Sequence, residues 1–338
     1  MDAAWIVVGS FAIAMIATGL MRRFAVRKDL LDVPNARSSH SSPTPRGGGV
    51  AIVVAFLGAA VALTITDHLN DKFLVAFLGG GGAIALVGFL DDRRTLPARV
   101  RFTVHLAAAG FVVSLLGGIP EFDLENWGLH GVWTGATVAV LLLVWTTNLF
   151  NFMDGIDAIA GSEAAFIAGA GAWINWHHGG DAGLTFAMLS LTAASFGFLR
   201  WNWPPARIFM GDVGSGFLGF SLAALGLAAS MTGEIPIEVW AILGGVFLVD
   251  STVTLIRRIA RGDRWFEAHR THAYQHLARR FKAHLPVTAW VIVIDLVWLL
   301  PWAIVAANHP TRAPLLLAVA LIPLVVCALA CGAGAEEK

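Results

Sequence analysis

Charge is what this sequence has least of. Asp, Glu, Lys and Arg make up 14% of its 338 residues, against about 25% in soluble globular domains, while 57% of the chain is hydrophobic. That scarcity excludes an ordinary soluble domain and points to an integral membrane protein. Cysteine is nearly absent too. Cys327 and Cys331 are the only two; four apart, they fall on one helix face without disulfide geometry, and they are expected as small buried residues. The 23 basic residues balance the 23 acidic ones, so global charge names no partner, and no nucleic-acid partner is expected. Neither an internal repeat nor a linker long enough to separate domains is visible. The first apolar run lacks a basic segment before it and a cleavage site, and is expected to remain as a membrane helix.

What is there is apolar sequence in long runs. A helix needs about 20 mostly apolar residues to cross the hydrocarbon of a bilayer. Eleven stretches approach this: 3–21, 48–66, 72–90, 101–118, 132–149, 158–176, 182–199, 214–231, 237–256, 287–307 and 312–331. They predict an all-α, polytopic bundle of about eleven transmembrane helices forming a single domain over 1–338. Basic residues are distributed one-sidedly. The odd-to-even connections and the C-terminal tail hold 21 of the 23, and only Lys72 and Arg312 fall on the other side. The positive-inside rule then places the N-terminus outside and the C-terminus in the cytoplasm. The connections on the basic side (22–47, 91–100, 148–157, 200–213 and 257–286) carry every motif described next.

Carboxylates are costly near a bilayer and tend to be kept for function, and four motif regions sit at the ends of these runs. Asp91 and Asp92 close the third. Adjacent helical residues diverge by about 100°, so the two are expected to have separate tasks; a helix stop paired with Arg93 and Arg94 is the plainer alternative. Asn148, Asn151, Asp154 and Asp157 recur every third residue and, if helical, form one polar stripe. Gly155 is expected to relieve crowding between the two acids. Two amides and two carboxylates suit a hydrated divalent ion and a nucleotide, since Mg²⁺ takes one or two carboxylates plus waters and substrate phosphates; a polar seam between helices is the alternative. The segment Phe209-Met-Gly-Asp-Val-Gly-Ser215 is a glycine-rich turn before a helix, able to present backbone N–H groups to an anion. Ser215 is expected to cap that helix, and Asp212 makes sense there if a cation bridges it to the anion. No Gly-Lys-Ser/Thr follows, which excludes a Walker A loop. His269, His272 and His276 are spaced like one helical face; with Arg270, Arg279 and Arg280 nearby they suit an anion, with a zinc site near Glu267 or a solvated loop as alternatives. Arg46, before three glycines, suits phosphate or lipid headgroups.

Together these motifs resemble the polyprenyl-phosphate N-acetylhexosamine-1-phosphate transferases, the MraY/WecA superfamily or glycosyltransferase family 4, from about Asn35 to about Arg280. The spacing His269-Arg-Thr-His-Ala-Tyr-Gln-His276 looks more like the initiators of O-antigen or surface glycans than the peptidoglycan branch. Ala158 stands where the family usually has a second glycine, which is expected to narrow the sugar pocket. The resemblance implies transfer of a sugar-1-phosphate from a UDP-sugar, of N-acetylhexosamine type, to undecaprenyl phosphate with release of UMP, in the inner membrane of a bacterium and dependent on Mg²⁺ or Mn²⁺. It implies Asp212 as principal metal ligand, joined by Asp154, and Asp91 and Asp92 near the lipid phosphate. Asn148, Asn151, Asp154 and Asp157 fall at the nucleotide and sugar phosphate, Phe209 against uracil, and Arg46 with His269, His272 and His276 at the substrate anions. A homodimer is left open. The main rival is a transporter of nucleotide-sugars or lipid-linked sugars, which would place ionisable groups near the bilayer midplane; Asp250 and Asp295 are the residues to watch. A hydrolase would release UMP without any lipid acceptor.

Overall fold

The computed structural model describes residues 3–34, 42–119, 127–128, 132–232, 235–263 and 269–336. Glu267 and the whole of the 35–41 segment preceding Arg46 lie outside them. The described residues are all-α apart from one tiny hairpin. The helices are α1 (Ala3–Arg27), α2 (Val50–Ile65), α3 (Asp71–Arg93), α4 (Ala98–Leu116), α5 (Val132–Met153), α6 (Ile159–His177) and α7 (Ala182–Asn202). They continue as α8 (Asp212–Thr232), α9 (Ile237–Leu243), α10 (Gly245–Ala260), α11 (Ala273–Phe281), α12 (Leu285–Asn308) and α13 (Ala313–Ala330). The hairpin pairs β1 (Leu31–Asp32) with β2 (Thr44–Pro45).

The protein is a polytopic membrane helix bundle. Among the described residues, eight helices are long and apolar enough to cross a bilayer, or nine if the bent pair α9–α10 counts as one span. The two remaining expected spans fall short for different reasons. Helix α2 has only 16 residues, and α6 is long enough but carries Ser162, Glu163 and Asn175 on its buried face. The ninth expected span bends by 81° at Gly244. Helices α3 and α12 each contain a π-helical turn, Phe77–Gly81 and Asp295–Leu299. The first has a packing cause: Cβ atoms at Gly79 and Gly80 would lie 2.5 Å from Phe111 and 2.6 Å from Val112, so glycines admit α4 at this turn.

Helix α8 is the central post, buried along nearly its whole length, whereas α1 and α13 expose Trp5, Ile16, Leu20, Leu315, Ile322 and Val326, as lipid-facing helices do. Cys327 is exposed on α13 and Cys331 half-buried, so the expected burial of both thiols is not found; the last helix is peripheral. Connections sort into two ends. At one, Phe209 N–H donates to Pro45 O (2.8 Å), Ala206 N–H to the Asp157 carboxylate (3.0 Å), and Tyr274 O–H to Phe152 O (3.0 Å). At the other, Trp127 donates to Glu238 (2.7 Å), and Gly183 abuts the carbonyl of His68.

Candidate active site

Helix starts and stops build the site. Asp92, in the last turn of α3, accepts from the backbone N–H groups of Asp212 (3.0 Å) and Val213 (3.2 Å). It therefore caps α8 from another helix and satisfies donors that a helix N-terminus leaves orphaned. The expected cap, Ser215, lies inside the first turn, donating to Gly211 O (3.3 Å) and accepting from Asn151 (3.1 Å). Gly211 makes the Asp92 contact possible: its φ is +78°, and a Cβ there would lie 2.6 Å from Asp92 Oδ2. Glycine also lets the neighbouring turn approach, since Gly48 and Gly49 donate to Phe209 O and Met210 O at 2.9 Å each. That ladder ties Arg46 to the 209–212 turn, and the Arg46 guanidinium donates to Asp92 O.

Asp91 takes a different partner, as the divergence of neighbouring helical residues requires. It accepts from Leu96 N–H (2.6 Å) and Arg101 (2.6 Å), and the same Arg101 nitrogen lies 3.3 Å from Asp212. The plainer alternative, pairing with Arg93 and Arg94, is absent among the described residues; the Arg93 guanidinium instead lies over the Phe89 ring at 4.3 Å.

The every-third-residue stripe is not one helical face. Helix α5 ends at Met153, and 154–158 form a turn ending on Ala158 with φ +65°. Asn148 turns aside, donating to Val144 O (2.7 Å) and lying 3.4 Å from His105. Asn151 remains at the centre, bonded to Ser215 and to Asp212. Asp157 is pinned: besides Ala206 N–H, its carboxylate lies 3.0 Å from His284 Nδ1, and its carbonyl accepts from Thr288 (2.9 Å). Asn202 ties the same turn down, accepting from Ala158 N–H and donating to Ile208 O, both at 2.9 Å. Ala158 is buried against this anchor and does not line the cavity, so the expected narrowing is not seen. Gly155 does not separate two acids; a Cβ there would collide with the Tyr274 hydroxyl.

These segments enclose a polar cavity of about 270 Å³, lined by Arg46, Asp92, Asn151, Asp154, Asp157, Phe209 and Asp212 among the residues expected, together with Asp32, Gln275 and His284. Asp154 has no hydrogen-bond partner among the described residues. Burial, then the carboxylates of Asp212, Asp92 and Asp157, push it well above the usual carboxylate range. His269, His272 and His276 do not line this cavity. His272 is buried, 3.3 Å from Asp250, whose carboxylate also caps α11 by accepting from Ala273 (2.9 Å) and Tyr274 (3.0 Å). His276 bonds Arg279 (3.1 Å), and His269 stacks on His272, its ring centroid 4.9 Å away. Burial, His272 and Arg258 push His269 down to about 3. The loop thus presents Gln275, one residue from His276, to the cavity.

Sequence reasoning missed Asp32, Arg101, Asn202, Gln275 and His284. Only Gln275 lay within a motif. The other four reach the site through contacts between residues distant in sequence, for which periodicity carries no signal.

The donor set fits a hydrated divalent ion. Among the described residues no three His, Cys, Asp or Glu side chains converge on one point, which is unlike an all-protein zinc or calcium cage. Asp154 and Asp212 line one cavity close enough for their charges to interact, and one or two carboxylates completed by water and phosphate is the Mg²⁺ pattern. A second cavity, about 310 Å³, is lined by apolar groups including Leu149, Phe150, Leu222 and Leu248. Phe150 faces it while the next residue, Asn151, faces the acidic cavity.

A profile of glycosyl transferase family 4 matches residues 74–230, covering the acidic pair, the 148–157 segment and the 209–215 turn. A probable undecaprenyl-phosphate N-acetylglucosaminyl 1-phosphate transferase of Bacillus subtilis (strain 168) is 32% identical over 79% of this chain and 75% of its own length. A decaprenyl-phosphate N-acetylglucosaminephosphotransferase of Mycobacterium tuberculosis (strain ATCC 25618 / H37Rv) is 29% identical over 83% of this chain and 78% of its own. A phospho-N-acetylmuramoyl-pentapeptide-transferase of Shouchella clausii (strain KSM-K16) is also 29% identical, over 85% and 93%.

Proposed function

The chain belongs to glycosyl transferase family 4 and is a membrane transferase of the polyprenyl-phosphate sugar-1-phosphate type, and from that premise we propose that it moves an N-acetylhexosamine-1-phosphate from a UDP-sugar to undecaprenyl phosphate, releasing UMP and starting a cell-surface glycan. The observation that carries this reading is the adjacency of the two cavities. Consecutive residues at the end of α5 present Asn151 to a carboxylate-lined cavity and Phe150 to an apolar one. An acceptor with a phosphate head and an isoprenoid tail needs such a pair, and a soluble donor needs only the first. Relatives that act by name on N-acetylglucosamine and on an N-acetylmuramoyl-pentapeptide match at similar identity, so the sugar is the element the reading leaves to experiment.

In this reading the lipid phosphate oxygen attacks the β-phosphorus of the donor and UMP leaves. Phosphoryl transfer is mostly positioning and electrostatics, and a phosphate monoester with a second pKa near 6 is largely ionised at neutral pH, so no strong base is needed. Asp212 and Asp154 would hold Mg²⁺ or Mn²⁺, which would supply charge neutralisation at the diphosphate. Arg101 and Asn151 fix the Asp212 carboxylate, Arg46 offers a guanidinium to the anions, and Phe209 offers a ring to the uracil. Asp92 holds the turn that carries Asp212. Of the histidine loop, Gln275 is the residue assigned to the substrate.

The one-sided distribution of basic residues supports a cytoplasmic acidic cavity and an external N-terminus, and the bacterial relatives support residence in a bacterial inner membrane. Incubating membranes with a panel of UDP-sugars, Mg²⁺ and undecaprenyl phosphate, and weighing the lipid product, tests the reading. A diphosphate-linked sugar lipid with stoichiometric UMP is expected; UMP release that ignores the lipid would identify a hydrolase and end it.

A further inference from the structure

Two carboxyl groups outside the acidic cavity meet within the bundle. Glu163 lies one turn into α6 and Asp295 in the middle of α12; they are 0% and 1% exposed, and their side chains adjoin. None of their four oxygens meets a donor among the described residues, and neither residue lines either cavity. Asp295 opens the π-helical turn Asp295–Leu299, a conformation frequent at functional positions.

Ionised together, these groups would lose hydration and repel each other with nothing nearby to offset either cost. Two carboxyl groups can hydrogen-bond one another only if at least one carries a proton, because an ionised carboxylate is an acceptor alone. No third His, Cys, Asp or Glu among the described residues joins them to hold a metal. A proton is therefore the ligand that satisfies the pair with the groups present.

The contact has a mechanical consequence. Helix α12 also meets the turn that leads into α6, nearer the active site, where Thr288 of α12 and His284 beside it hold Asp157. Both contacts join α12 to the segment that begins with the Asp154–Ala158 turn. We propose that Glu163 and Asp295 share a proton at neutral pH and, as positioning residues, lock α12 against α6 so that this turn keeps Asp154 and Asp157 in register. On the helices packed around the pair, Asp212, Arg200, Asp250, Arg257 and Arg258 lie toward the acidic-cavity end, Glu238 lies at the opposite end, and Asp157 faces His284. Asp295 is the charged group whose field acts on Glu163.

Infrared difference spectroscopy of the full-length protein in liposomes tests the proton directly. Subtracting the Glu163→Gln/Asp295→Asn spectrum from the unsubstituted one at neutral pH should leave a carboxylic-acid carbonyl band that shifts in D₂O; no such band overturns the inference. Turnover tests the lock, and this arm rests on the transferase reading. Glu163→Ala should lower kcat about tenfold by leaving Asp295 buried without a partner. Glu163→Gln carries a donor that does not titrate, so it should recover most of kcat and move any alkaline fall in rate to higher pH. Identical pH profiles for the unsubstituted and Gln forms overturn the link to the active-site turn. A sodium requirement that Glu163→Gln abolishes would overturn the proton as ligand. Should Glu163→Ala not fold, the shape-conserving Gln and Asn forms still carry both arms. A clear band in a protein with no transferase activity would count against the assigned reaction and leave the pair standing.

Discussion

Asp91 and Asp92 are neighbours in the chain with separate partners, and the difference sets what their substitutions should do. Both Asp91 oxygens are engaged, by Leu96 and by the arginine that also reaches Asp212. Asp91→Asn should therefore lower turnover by loosening Asp212 while leaving the pH profile over 6–8 in place; disappearance of a pH-dependent limb would instead give Asp91 the role of base. Asp212→Asn should reduce metal-dependent turnover at least about 100-fold, since it removes a ligand and not a supporting group; persistence of turnover at the unsubstituted rate would refute the ligand assignment. His269 offers a pH prediction. Its folded value, pushed down to about 3, lies below the ordinary histidine value near 6.5, so the unfolded chain binds the extra proton in between. Its contribution to stability is complete above pH 6.5 and is lost as pH falls toward 3. Melting temperatures of His269→Gln should accordingly fall less steeply on acidification than those of the unsubstituted protein.

Among elements, the α8 N-terminus depends on glycine at one position more than on the acid that caps it from α3. Gly211→Ala should cost about 2 kcal/mol or more, from left-handed strain of about 1–2 kcal/mol plus collision with Asp92. Asp92→Ala, which removes the cap but adds no strain, should cost about 0.5–2 kcal/mol. Equal melting temperatures for Gly211→Ala and the unsubstituted protein would show that the turn repacks freely. A helix end also explains why the polar stripe from Asn148 to Asp157 misled at its C-terminal end. Three-residue spacing is meaningful only while the helix lasts, and α5 stops at Met153. Asn151 is placed by the helix, Asp154 and Asp157 by the turn, and that turn is held by Asn202, Thr288 and His284 from elsewhere in the chain.

For the whole molecule, the sorting of connections into two ends agrees with the bias of basic residues, and orientation can be measured. In a background where Cys327 and Cys331 are replaced by Ala, His68→Cys and Asp181→Cys should react with an impermeant maleimide added to intact cells. Asp29→Cys and Ala206→Cys should react only after permeabilisation. The reverse pattern would turn the acidic cavity outward and sever it from a cytoplasmic donor.

The sequence by itself determined the class of protein and the content of the site. Long apolar runs have few stable outcomes in a bilayer, since each must satisfy its backbone internally as a helix, and Arg46, Asp92, Asn151, Asp154, Asp157, Phe209 and Asp212 were legible because carboxylates, amides and glycines at helix ends have a cost that apolar surroundings make conspicuous. What only the tertiary structure decided was which groups have partners. Hydropathy does not report a bend at Gly244, and spacing does not report that His272 faces Asp250, that Gln275 takes the histidines' place at the cavity, or that Glu163 meets Asp295. These are pairings between helices far apart in sequence, fixed when the bundle closes and every buried polar group must find its complement.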